Sequence, residues 1–271
     1  MYENNLIHMK KTLFVLLLAV VETYGCANGT GSSVLSDDAL LDTVELYTSR
    51  YFTEFIHPNN GLARERSNME CHGDIRSSAT FMGYPLLLKH NGAEATGGPL
   101  FWAHYSWIGL CPKGLSDRYA DYWQAMTSHV LSDYAYCVEN PKDYINYSDS
   151  CWGLTAGYSV NGYEAHAPNN DLGVLTHTAA LSSFPYAPEQ AMAAARYWYR
   201  RKSLYWGEYG FYDGYSATAK WYPRRYLAID QLTVAPMIEN YRTGLLWKLF
   251  MSCPEIQQGL QTLDITYTPE N

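Results

Sequence analysis

Apolar side chains recur at helical intervals through most of this 271-residue chain, and stretches rich in Gly, Pro, Asn and Ser punctuate them. Leu40, Val44, Tyr47, Tyr51 and Phe55 share one helical face that follows the capping run Ser36-Asp-Asp-Ala39 and stops before Pro58. Asn59-Asn60-Gly61 predicts a turn, and a charged loop follows through Asn68. Periodicity fades from Met69 to Gly98. Pro99, at a first helical position, predicts a short aromatic helix through Leu110 that carries Trp102, His104, Tyr105 and Trp107. Residues 116–139 read as a long helix with Tyr119, Trp123, Met126, Val130 and Tyr134 on one face and Pro141 after its end. Ser150 to Thr155 opens a short segment before a loop from Gly157 to Asp171. Helical readings resume over 174–184, 188–202 and 228–252, the last with a break near Pro236. Strand-like alternation is nearly absent, so the expected fold class is all-α.

The first residues follow a different pattern. Lys10 and Lys11 precede an apolar run, Leu13 to Val21, that is too short to span a bilayer as a helix, and Gly25-Cys26 follows it. Residues 1–26 therefore read as an export signal. Thr23-Tyr-Gly-Cys26 is an imperfect lipobox, with Thr where Leu is usual and a bulky Tyr24. Two outcomes stand: a periplasmic or surface lipoprotein held by a diacylated Cys26, or ordinary cleavage and secretion. Residues 27–35 form a flexible tether in this reading, and 36–271 form one domain. The cysteines besides Cys26 are odd in number and include no CxxC, which fits neither a closed disulfide framework nor a zinc site. Buried, small apolar roles are expected for them.

A hydrophobic content of 47% with 17% charged residues marks a globular chain. The net charge of -8 and the absence of any basic run exclude a nucleic-acid partner on electrostatic grounds. The 25 Tyr residues, beside 8 Trp and 8 Phe, serve either an aromatic core or the alternating apolar faces and hydroxyls of a sugar. No nucleophile elbow, HExxH, phosphate loop or dinucleotide fingerprint is present. His104, His166 and His177 are not spaced as a helix-borne metal site, so neither metal nor cofactor is expected.

Candidate chemistry concentrates between Gly162 and Pro254, where carboxylates, histidines and rings recur in Gly- and Pro-punctuated loops, as in a groove that holds and cuts a sugar chain. Glu164 and His166 flank Ala165 in a loop too polar for core. Asp230 precedes an apolar helical run, which fits either a helix cap or a catalytic carboxylate. Asp213 is a loop carboxylate after Gly-Phe-Tyr. Trp152, Tyr163, Trp206, Tyr209 and Tyr212 are candidate sugar platforms or packing residues, and Trp102 and His104 join them from the aromatic helix. Arg64 or Arg66 either reaches substrate or forms a solvated pair with Glu65. Glu239 and Arg242 read as a structural pair.

Several of these stretches together resemble a known family. Cys151-Trp-Gly-Leu-Thr155, the loop Gly162 to Pro168, Thr178-Ala-Ala-Leu-Ser-Ser-Phe-Pro185, Tyr209-Gly-Phe-Tyr-Asp213, Ala228-Ile-Asp-Gln231 and Ile238 to Trp247 look like the glycoamylase-like domain. Gly97 to Tyr105, Asp117 to Trp123 and Leu40 to Asn68 extend the match upstream. That domain includes the endo-β-1,2-glucanases of glycoside hydrolase family 144, and a related region occurs in cyclic β-1,2-glucan synthases. The resemblance implies an (α/α)6 toroid, a β-glucan partner with β-1,2 linkage, and an inverting mechanism in which Asp230 is the base or water-positioning carboxylate. The chain offers only seven or eight helix candidates, against twelve helices in that barrel. The family's opening region ends near Ser78 and its C-terminal half resumes near Thr80, so the toroid is expected to be incomplete and to lack the segment that carries the general acid. Exposed inner faces would then favour a homodimer. Leu232 and Thr233 stand where the family has Gly and Pro, and His177 where Pro is common, with a surface place beside the groove expected for it. A glycoside hydrolase is the function implied; a degenerate glucan-binding lipoprotein or a truncated, inactive product is the alternative.

Overall fold

The long central helix shows how local chemistry sets the elements. In the computed structural model, which describes residues 35–54, 76–89 and 95–269, this helix runs Tyr122–Glu139 (α2) and does not begin at Ser116. Asp117 Oδ1 accepts from the backbone N–H of Tyr119 and Ala120 at 2.7 and 3.1 Å, a local turn that competes with helix. Asp121 is the N-cap, accepting from Gln124 N at 2.8 Å. Asn140, with φ 48°, takes the left-handed C-cap position before Pro141. Met126, His129, Val130, Asp133, Tyr136 and Cys137 are buried, so the inward stripe is rotated from the expected one and carries polar groups as well as apolar ones.

The remaining elements are short. Helix α1 spans Asp37–Glu54, with Ser36 Oγ accepting from Ala39 N at 3.2 Å. Strands β1 (Arg76–Phe81) and β2 (Tyr84–Leu88) form a hairpin, followed by two 3-10 helices, Leu100–Ala103 and Tyr105–Trp107, in place of one helix to Leu110. After β3 (Leu115–Ser116) and α2 come β4 (Ala156–Ser159), β5 (Gly162–Ala165), β6 (Leu175–Thr176), α3 (His177–Leu181), α4 (Pro188–Tyr199) and α5 (Lys202–Tyr205). Three two-residue strands, β7 (Trp206–Gly207), β8 (Gly210–Phe211) and β9 (Gly214–Tyr215), precede α6 (Ala228–Gln231), α7 (Val234–Arg242), α8 (Leu245–Met251), α9 (Pro254–Thr262) and β10 (Thr266–Tyr267).

The chain is helix-rich, as expected, and the described residues also hold five short two-stranded antiparallel ladders. Strands of two to six residues are too short to leave a readable alternation. The expected loop 157–171 contains the β4–β5 hairpin, with Gly157 opposite Glu164 and Tyr158 opposite Tyr163. The expected helix 228–252 is three helices, and its breaks fall at Leu232-Thr233 and at Thr243-Gly244, not at Pro236. Pro236 sits in the first turn of α7, where a missing N–H costs nothing, while Gly244 takes φ 67°. Ser78 and Thr80 lie inside the single strand β1, so the chain crosses the family's missing middle without a break in regular structure.

Tertiary contacts divide the chain into Met1–Ala39 and Leu40–Asn271, and the core belongs to the second unit. Trp152, Trp198, Phe184 and Tyr215 are its largest fully buried side chains. Cys111, Cys137 and Cys151 are buried and form no disulfide, as expected of small apolar groups. The signal, Cys26, Arg64, Arg66 and Cys71 lie outside the described residues. Among the described residues no helix is long and apolar enough to cross a membrane. Arg242 forms its ion pairs with Asp42 and Glu45 of α1, not with Glu239, whose Oε1 accepts from Thr243 Oγ1.

Buried polar groups tie the elements together. Asp171 accepts from Tyr147 OH at 2.7 Å, Tyr136 OH at 3.0 Å and Gly173 N at 2.9 Å, which fastens α2 to the segment before β6. Asp171→Ala strips three buried donors of their acceptor and should lower the unfolding free energy by about 3 kcal/mol. Urea unfolding checks this, and Asp171→Asn, which keeps one acceptor oxygen, should lose less.

Candidate active site

Asp213 follows β8 at a turn held by its backbone. Its N–H donates to Arg225 O at 2.9 Å, and its carbonyl accepts from His177 N at 3.0 Å. The side chain reaches the β4–β5 hairpin, where Oδ2 accepts from Tyr158 N at 3.1 Å. Gly157 makes that approach possible, because a Cβ there would stand 3.0 Å from Asp213 Oδ2 and from Thr176 Oγ1.

Asp230 comes from α6 and is also buried. Its Oδ1 accepts from Tyr163 OH at 3.2 Å, and its carbonyl accepts from Thr233 Oγ1 at 3.1 Å. Gln231 beside it donates from Nε2 to Phe211 O at 3.1 Å, so α6 is pinned to β8, two residues before Asp213. The N-cap of α6 is Leu227, and Asp230 is the third residue of the helix, which removes the capping reading.

The two carboxyl groups come close enough for Asp230 to act on the protonation of Asp213. Asp213 Oδ1 is buried without a hydrogen-bond partner, so a proton held on either acid would favour their approach. Burial pushes the Asp213 carboxyl up to about 6, against the opposing pull of the Tyr158 N–H and of Asp230. A proton on this pair is thus exchangeable near neutral pH, where a general base works best.

Aromatic rings surround the pair on the exposed side. Tyr163 is 48% exposed and packs edge-on against Tyr158 at 5.9 Å, with the Arg225 guanidinium 5.3 Å from the Tyr158 ring centre. Tyr209 and Tyr212 both lean on Tyr226, at 5.4 and 5.3 Å. Tyr226 OH accepts from Tyr209 N at 3.1 Å and donates to Gly210 O at 3.3 Å. Trp206 packs among Tyr47, Tyr199 and Phe211 and lines a separate open recess of about 370 Å3 with Thr43, Lys202 and Ser203.

Other sequence candidates serve the core. Trp152 has no exposure, and its indole N–H donates to Gln190 O at 3.1 Å, which excludes a sugar platform. His104 is buried 2.9 Å from Ser183 Oγ, and burial lowers its pKa to about 3, so it is a neutral core residue. His166 is buried as well; burial lowers its pKa while Asp171 and Glu164 oppose the shift. His177 is buried, not at the surface. Trp102 is half-buried and packs edge-on against Phe101. Glu164 is half-buried opposite Gly157, and its carboxylate is not part of the Asp213–Asp230 contact. Among the described residues no three His, Cys, Asp or Glu side chains converge on a metal position. Tyr158, Gly157, Gln231, Thr233 and Tyr226 were not legible as site residues. Four of them act through or beside the backbone, and Tyr226 carries no motif of its own.

Residues 48–254 match the Glycoamylase family model, described as "Putative glucoamylase". The chain belongs to the glycoamylase family. Among solved structures, the endo-β-1,2-glucanase from Chitinophaga pinensis, bound to sophorotriose and glucose, is 56% identical with a TM-score of 0.71, over 72% of this chain and 47% of that one. The β-1,2-glucanase from Parabacteroides distasonis is 34% identical with a TM-score of 0.66, over 82% of this chain and 30% of that one. A curated relative from the same organism, an exo β-1,2-glucooligosaccharide sophorohydrolase acting at the non-reducing end, is 43% identical over 172 residues. Those residues are 62% of this glycoamylase-family chain but 24% of the relative, so the chain spans a minor part of the proteins it matches. Partial coverage of this kind fits the absence of the family's middle region.

The carboxyl pair predicts a specific pH dependence. Between about pH 4 and 6 Asp213 keeps its proton in the folded chain, whereas an unfolded aspartate has lost it. The folded state binds more protons there, so this group's contribution to stability falls as pH rises through the window. Asp213→Asn, which keeps a donor toward Asp230, removes that fall. Urea unfolding at pH 4 and pH 7 should show the variant gaining about 2 kcal/mol relative to wild type at the higher pH.

Proposed function

We propose that this chain provides the base side of a glycoside hydrolase site for β-1,2-linked glucan, acting with inversion on an (α/α)6-type scaffold. The observation that carries the reading is the buried Asp213–Asp230 pair, with the Tyr163 hydroxyl on Asp230. Its relatives' β-1,2-glucan chemistry supports the substrate class. In this reading Asp230 takes the proton of a water whose oxygen attacks the anomeric carbon. The bond to the leaving oxygen breaks as a separate acid protonates that oxygen. Asp213 holds the proton that keeps Asp230 in place. Tyr163, Tyr209 and Tyr212 offer rings to the sugar faces.

Acid and base of a glycosidase stand about 5 to 9.5 Å apart. Two carboxyls as close as Asp213 and Asp230 do not leave that gap, so they act as one unit and the acid is a third group. Glu164 is the candidate within this chain. The same closeness favours a second reading, a glucan-binding chain that lacks the acid. Linear β-1,2-glucan should release reducing ends with wild-type protein, and Asp230→Asn should lower that release about 100-fold or more. Glu164→Gln should lower it comparably if Glu164 is the acid. Retained binding in affinity electrophoresis without release would sink the hydrolase reading in favour of the binder.

Export, with Cys26 as a lipid anchor, fits a polymeric substrate outside the cell. A homodimer belongs to the same reading, since Tyr241, Leu249 and Phe250 expose apolar surface on α7 and α8. Light scattering should give twice the monomer mass, and a monomer would count against it.

A further inference from the structure

His177 opens α3 immediately after β6 and places two donors on consecutive carbonyls of the turn that ends in Asp213. Its backbone N–H meets Asp213 O at 3.0 Å, and its Nδ1 meets Tyr212 O at 2.7 Å. A carbonyl only accepts, so Nδ1 carries the proton and Nε2 is left as an acceptor. Nε2 is buried with no hydrogen-bond partner. The ring is walled by Trp198 at 4.6 Å, Tyr215 at 5.2 Å, Tyr205 at 5.3 Å and a nearly parallel Phe211 at 5.5 Å.

A ring needed only for packing among four aromatics would be satisfied by phenylalanine. An imidazole there leaves Nε2 unsatisfied, which is unfavourable, and the compensation is the Nδ1–H bond. That bond fixes the peptide between Tyr212 and Asp213, from which the Asp213 carboxyl extends toward Tyr158 N and Asp230. The imidazole stays neutral at ordinary pH, because burial lowers its pKa to about 4.

We infer that His177 is the positioning residue of the carboxyl pair: its two N–H groups lock the Tyr212–Asp213 backbone and so hold the Asp213 carboxyl against Asp230. Its catalytic meaning rests on reading Asp230 as the base, but the positioning itself does not. Among the described residues, the Tyr163 phenol bonds Asp230, and the phenols of Tyr205 and Tyr215 pack against the imidazole.

The test reads the Asp213 carboxyl by 13C NMR titration, assigned with Asp213→Asn. The variant His177→Asn keeps a donor at the Nδ1 position, whereas His177→Gln carries its amide one bond further out and His177→Phe keeps only the ring. Wild type and His177→Asn should titrate together near 6, while the Gln and Phe variants should rise by about one pH unit, as the buried carboxyl loses the Tyr158 N–H and Asp230 interactions that hold it down. A folded Phe variant with the wild-type midpoint overturns the inference. If the Phe variant does not fold, the Asn and Gln variants decide: equal midpoints overturn it, and so does an Asn variant that titrates high or fails to fold with its donor kept. Binding of linear β-1,2-glucan is measured separately. Its absence from wild type would defeat the functional reading while leaving the titration result intact.

Discussion

Two carboxyl groups withdrawn from water and set against each other must either hold a proton between them or find other donors, and the surroundings of Asp213 and Asp230 follow from that requirement. Tyr158 N supplies one donor to Asp213, and Tyr163 OH supplies one to Asp230. Both donors come from the same hairpin, facing each other across its ladder. Gly157 leaves room for this approach, because a Cβ there would crowd Asp213 Oδ2 and Thr176 Oγ1 at 3.0 Å. Gln231 and His177 then fix the two backbones that carry the acids.

Short ladders and one-turn helices suit this task better than long elements would. Tyr158 of β4, His177 of α3 and Gln231 of α6 each reach the segment from β8 to Asp213 through a hydrogen bond between side chain and backbone. Such bonds replace the cooperative length that a two-residue strand lacks. The core behind them is polar where it must be: His104 on Ser183, and Asp171 under Tyr136 and Tyr147, satisfy buried groups through hydrogen bonds within the interior.

Family membership and partial coverage bear on chemistry in opposite ways. The similarity to β-1,2-glucan-active relatives extends over most of this chain, and the family match includes the stretch that holds both aspartates. Much of each relative's length has no counterpart here. A pair in contact cannot divide the labour of acid and base, because the sugar and its water must fit between those two groups.

The sequence by itself determined the helix-rich character, the long helix that ends before Pro141, the family, and the stretch in which the carboxyls lie. Those features depend on local periodicity, capping residues and ordered motifs. It could not separate Trp152 from Trp206, or His104 from Tyr209, since an aromatic in a motif reads the same whether it faces core or solvent. It singled out Asp213 and Asp230 one at a time and did not show that they touch. Their contact depends on three backbones meeting from separate parts of the chain, at Tyr158, Asp213 and Asp230, with Gly157 leaving room and His177 holding the turn. Only the tertiary structure decides such a meeting, because the shared proton belongs to the distance between two side chains and not to either residue's place in the chain.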